Sequence, residues 1–221
     1  MKNHNNRFTL LPVLMAISTG AMLIANIIAG KQFQVLGFAL PCAVVVFPVT
    51  YILSDVFSEV YGYKWSRRSA WVAFGMNLFA VAAFQMTIAM PGVAWFTAQE
   101  AFEAVLGNTP RILIASLLSY MVGDWVNDRV FRKMKAADAE NKRFGLRAIS
   151  SSFFGELTDS LIFIPLAFIG TMPVTQMLVM IAVQAGTKLV LEFLLLPVTK
   201  WCVNMAKKYE DVQQTMAGEA A

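Results

Sequence analysis

Apolar residues fall along this chain in long, nearly unbroken runs, without the strict alternation of a half-buried strand. A bilayer's hydrocarbon core is about 30 Å thick, so a helix rising about 1.5 Å per residue needs roughly 20 apolar residues to cross it. Six runs meet that length, at 9–30, 36–60, 69–90, 110–131, 148–170 and 174–201. They predict an all-α polytopic membrane bundle of six transmembrane helices over residues 1–207, followed by a polar, frayed tail at 208–221. The first run is too long for a signal peptide and has no convincing cleavage site, so it is read as a span.

The connections differ in kind. Residues 132–147 form a charged linker and 91–109 a longer loop on the opposite side. Within that loop, Ala98, Phe102, Val105 and Leu106 share one helical face, which predicts a short helix lying on the membrane surface. Asn108-Thr109-Pro110 has the form of a helix cap and first turn. Pro41 and Pro48 are predicted to interrupt the second span, and Pro165 and Pro197 the fifth and sixth. Each removes a backbone donor, so the carbonyls they free should face protein or a polar cavity.

Composition supports the membrane assignment. Apolar residues make up 57% of the 221 and charged residues only 14%, with a mean hydropathy of +0.59. The net charge of +4 raises the question of nucleic acid, but the placement of the basic residues answers it. Lys2, Arg7, Lys64, Arg67, Arg68, Arg129, Arg132, Lys133, Lys135, Lys142, Arg143, Arg147, Lys200, Lys207 and Lys208 fall on one side of the predicted topology. Lys31 and Arg111 fall on the other. That is the positive-inside pattern, with both termini cytoplasmic and no nucleic-acid partner. Cys42 and Cys202 lie in opposite halves of the membrane, which predicts no disulfide, and they form no metal motif. The single histidine, His4, lies in the N-terminal tail, which leaves no histidine for a zinc site or a triad.

Charges inside the spans change the picture again. On insertion scales a charged side chain at the centre of a membrane helix costs about 2.5–3.5 kcal/mol, so such residues should face the bundle interior. Asp55 and Glu59 share a face of the second span, and Asp124 and Asp128 repeat that spacing on the fourth, beside Asn127. Glu156 and Asp159 lie roughly 12 and 17 Å into the fifth span, and Lys188 lies roughly 21 Å into the sixth. Gln184 and Glu192 flank Lys188 by one turn each. The expected contact is an interior ion pair of Lys188 with Asp159 or Glu156, serving either to lock helices together or to form a polar binding site at mid-membrane. Glu59 and Asp128 reach the interface. Phe47, Tyr51, Tyr120 and Trp125 are candidates to stack on a planar ligand. No phosphate-binding glycine loop and no Ser/His/Asp set is present, so neither catalysis nor a metal or cofactor is expected.

The run Ala25-Asn26-Ile27-Ile28-Ala29-Gly30-Lys31, then Phe47-Pro48-Val49-Thr50-Tyr51-Ile52-Leu53-Ser54-Asp55 and Glu59-Val60-Tyr61-Gly62, resembles the queuosine precursor transporter family, formerly named for vitamin uptake. Arg147-Ala148-Ile149-Ser150-Ser151, Gly155-Glu156-Leu157-Thr158-Asp159-Ser160-Leu161, Lys188 and Pro197 extend the resemblance over nearly the whole chain. It implies a bacterial inner-membrane importer of 7-deazaguanines such as 7-cyano-7-deazaguanine and 7-aminomethyl-7-deazaguanine. It also implies a fold similar to the six-helix substrate-binding subunits of energy-coupling-factor vitamin importers, generally working without their ATPase. Glu156 departs from the Asn or Gln common in the family at that position. The implied substrate-binding residues are Asn26, Phe47, Tyr51, Asp55, Glu156, Asp159, Gln184 and Lys188. Another small planar ligand such as a vitamin is the competing substrate. The small residues Ala16, Gly20 and Ala21 also leave an ATPase-docking face open, and a homodimer is equally open.

Overall fold

A computed structural model describes residues 10–137 and 144–219. Its helices are α1 (Leu11–Ile28), α2 (Phe47–Val56), α3 (Tyr63–Ala89), α4 (Gln99–Leu106), α5 (Thr109–Ala137), α6 (Phe144–Phe168) and α7 (Val174–Glu219). Between α1 and α2 the chain forms an antiparallel hairpin of β1 (Gln32–Val35) and β2 (Phe38–Pro41), then a 3₁₀ turn at Cys42–Val45. Among the described residues, α1, α2, α7, α6, α5 and α3 follow one another around a closed ring of helix contacts. The α5–α6 contact is the most extensive.

The protein is an all-α polytopic membrane protein. Among the described residues, Leu11–Ile28, Tyr63–Ala89, Gln99–Met134 and Val174–Asp211 are long and apolar enough to cross a bilayer. Large apolar side chains point outward from them, including Leu78, Phe79, Phe193 and Leu194, which is the surface a lipid environment stabilises. Helix α7 is 46 residues long, roughly 69 Å, and so outruns the hydrocarbon core.

The second predicted span is the main departure. Its first residues form the hairpin, whose turn at Leu36 (φ 51°) and Gly37 (φ 88°) has the two positive φ values of a tight two-residue connection. The helical part is short, α2 continuing as a π-helical turn at Phe57–Tyr61. Pro41 closes β2, and Pro48 sits in the first turn of α2, where its missing N–H breaks no helical bond. Pro165 and Pro197 lie inside α6 and α7, which run on through them instead of being interrupted. The chain after Lys208 also differs from the expected frayed tail, since α7 runs to Glu219. Glu210 is buried and accepts hydrogen bonds from the Tyr61 hydroxyl (2.8 Å) and the Leu10 amide (3.0 Å), tying the end of α7 to both neighbours.

Local chemistry accounts for other boundaries. The Thr109 hydroxyl donates to the Leu106 carbonyl (2.6 Å), joining α4 to α5 where the cap was predicted. Arg111 donates through Nε to the Leu166 carbonyl (2.7 Å) and through Nη2 to the Ile169 carbonyl (2.6 Å). It thereby satisfies acceptors that the end of α6 would otherwise leave free. Glu59 is exposed and faces Lys207 at 3.8 Å, in keeping with the interface placement. His4, residues 138–143 of the linker and the side chains of Asp128 and Arg147 lie outside the description. Cys42 and Cys202 are free thiols.

The α5–α6 contact depends on two glycines. A Cβ on Gly155 would lie 2.9 Å from Asn127 Cβ, and one on Gly123 would lie 3.0 Å from the Gly155 carbonyl. Gly155→Val is therefore expected to lower the melting temperature of the detergent-purified protein, at an overpacking cost of about 1–3 kcal/mol. Gly186→Ala, where a Cβ meets nothing within 4 Å, serves as the control. Circular dichroism melts of the two variants check the difference.

Candidate binding site

Small and polar residues recur at helical spacing on the inner faces of the ring. They are Ser18, Ala25 and Asn26 on α1, with Ala29 just after it, and Ser66, Ser69, Ala70 and Ala73 on α3. On α5 they are Ser116, Ser119, Tyr120, Gly123 and Asn127. Intervals of three and four residues place each set on one face. Because short side chains fill little space, the ring encloses a cavity of ≈ 420 Å³, within the range of small-molecule sites. Apolar clusters pack around it. One gathers Ile112, Phe163, Ile164 and Met180, and another Leu53, Val56, Phe57 and Val203.

Lys188 on α7 is buried and forms ion pairs with both Asp159 and Glu156 of α6, the latter at 2.8 Å. The sequence left these two as alternatives, but one helical turn of α6 presents both to the same ammonium. Its Nζ also lies 5.3 Å from the centre of the Phe47 ring, a cation–π distance. Phe47 and Tyr51 stand one turn apart on α2 with ring centres 5.8 Å apart, forming an aromatic wall beside the triad. On α1, Asn26 donates to the Oδ1 of Asn77 (2.8 Å), whose own amide donates to the Ala73 carbonyl (2.9 Å). This buried chain of polar groups holds α1 against α3. Gln184 is almost wholly buried and its Oε1 has no hydrogen-bond donor, while the Tyr51 hydroxyl is buried without a partner.

All eight residues proposed from the sequence line this one cavity. Of the other aromatic candidates, Tyr120 lines it and packs on Phe74 at 5.4 Å, whereas Trp125 is 62% exposed and faces away. The cavity also holds groups outside that set. Asp124 is paired with Arg67 of α3, and Glu192 accepts a hydrogen bond from the Ser152 hydroxyl at 3.2 Å. The serine and glycine stripe on α5 was legible as a periodic pattern. The Asn26–Asn77 and Arg67–Asp124 pairings had no such signal, because each joins different helices.

A cavity holding a charge triad, ringed by helices with exposed apolar exteriors, is the kind of place where membrane transporters put their substrates. The chain belongs to the family described as "Putative vitamin uptake transporter", whose profile matches residues 41–202. It is 26% identical over 159 residues to the "Probable queuosine precursor transporter" of Bacillus subtilis (strain 168), across 69% of this chain and 67% of that protein. No solved structure matches it.

The triad generates a stability prediction. Lys188→Met leaves two partly exposed carboxylates of the cavity without their cation, and the expected cost is below the about 3–5 kcal/mol of breaking a fully buried pair. Lys188→Met combined with Glu156→Gln and Asp159→Asn removes the stranded charges and is expected to recover most of the loss. Thermal unfolding of the purified single and triple variants measures both effects.

Proposed function

We propose that this chain is an inner-membrane importer of queuosine precursors, 7-cyano-7-deazaguanine and 7-aminomethyl-7-deazaguanine, which it supplies for salvage into tRNA. In this reading the ring provides six spans, with α2 and α6 completing the set and both termini in the cytoplasm. The carrying observation is the Lys188–Asp159–Glu156 triad beside the Phe47–Tyr51 wall, inside a cavity sized for a small molecule. The name of the Bacillus subtilis relative supports the substrate class.

The chemistry is complementary. A 7-deazaguanine offers a ring N–H and an exocyclic amine along one edge, which a carboxylate accepts as a bidentate pair. Asp159 and Glu156 supply such oxygens, and Gln184 Oε1 adds a free acceptor. Lys188 donates to the ring carbonyl while remaining anchored, and the flat ring packs on Phe47 and Tyr51. Asn26 and Asp55 line the same cavity. The residues serve binding and orientation, with no bond made or broken.

In cells unable to synthesise the precursors, this gene is expected to restore queuosine to tRNA when a labelled precursor is supplied, while an empty vector is not. Asp159→Asn and Lys188→Ala are each expected to abolish uptake at normal membrane abundance. Wild-type uptake in both variants would remove the triad from the site. A vitamin that competes fully with the precursor would move the assignment to the vitamin class named in the family's description.

A further inference from the structure

The charges in the cavity do not balance. Asp55, Asp124, Glu156, Asp159 and Glu192 line it, against Lys188 as the lining cation among the described residues. Lys188 is committed to Asp159 and Glu156, and Asp124 is committed to Arg67. Among the described residues, Asp55 and Glu192 remain without a cation. Asp55 has no hydrogen bond or ion pair among the described residues, and Glu192 accepts from the Ser152 hydroxyl.

Their position matters as much as their charge. Asp55 is one turn from Tyr51 on α2, and Glu192 is one turn from Lys188 on α7. Both helices therefore place a carboxylate the same step along the cavity from the groups assigned to the flat ring. On the other side of Lys188, one turn the opposite way along α7, the cavity holds another acceptor without a donor. Gln184 is 1% exposed, lines the cavity, and its Oε1 has no donor, so it too asks for an N–H.

We infer that this cavity selects a planar heterocycle carrying a protonated primary amine, with Asp55 and Glu192 receiving the ammonium. The inference rests on the 7-deazaguanine reading and specifies it: the aminomethyl form is the preferred substrate over the cyano form. An ammonium brings three donors and a positive charge to a region rich in unpaired acceptors. A nitrile is neutral and only accepts, and Lys188 is already shared between Asp159, Glu156 and, in this reading, the ring carbonyl. Burying the nitrile beside two carboxylates therefore satisfies neither partner.

Titration of each ligand into the purified, full-length wild-type protein tests this directly. The aminomethyl form is expected to bind at least about tenfold tighter than the cyano form, a modest yield for a charge pair in a partly buried site. Glu192→Gln combined with Asp55→Asn is expected to bring that ratio within about threefold, whereas Glu192→Asp, which keeps the charge, preserves it. Equal affinities in the wild type, or tighter cyano binding, would overturn the inference while leaving the 7-deazaguanine assignment intact. A wild-type preference that survives the double replacement would overturn the roles of Asp55 and Glu192. Binding of neither ligand would fail the substrate class itself, and the inference with it.

Discussion

A lysine held away from water at the centre of a membrane bundle constrains everything around it. An isolated ammonium in such a place carries a desolvation penalty of several kcal/mol, so Lys188 is tolerable only while anions stand beside it. Asp159 and Glu156 fill that role from a single turn of α6, and Phe47 adds its ring face from α2. The triad joins α6 to α7 and lies against α2. The register of three helices thus follows from satisfying one charge.

Holding α6 against α5 permits this arrangement. Gly123 and Gly155 bring the two backbones so close that neither position has room for a Cβ without displacing its neighbour. Close approach of backbones is how membrane helices associate when lipid removes the hydrophobic drive between them. The same short side chains, continued as serines along α5 and α3, leave the bundle hollow at the level of the triad. A buried ion pair and a ligand cavity are therefore two results of one pattern of small residues. The polar side chains that line the cavity need partners, and a bound ligand can supply them.

Much of this was written in local patterns. Run length and the asymmetry of lysine and arginine describe a polytopic helical protein, because crossing hydrocarbon leaves few alternatives to a helix. Charges at i and i+3 or i+4 marked the interior faces, and every residue singled out on that basis for binding lines the same cavity. The second run was misread at its start because hairpins and membrane helices are both rich in apolar residues. Gln32–Pro41 shows the difference only in the turn at Leu36-Gly37. The end of α7 was misread for a related reason, since a polar sequence looks frayed until Tyr61 and the Leu10 amide are brought to Glu210.

The sequence by itself determined the class of solvent around this protein, the helical character of its long runs, and which helix faces carry charge. These properties depend on spacing of a few residues, and helical geometry converts such spacing directly into position. Only the tertiary structure decided which charges meet. It joins Lys188 to both carboxylates, pairs Arg67 with Asp124, links Asn26 to Asn77, and among the described residues leaves Asp55 and Glu192 without cations. Those outcomes depend on distances between elements far apart in the chain, which are set when the helices pack and not before.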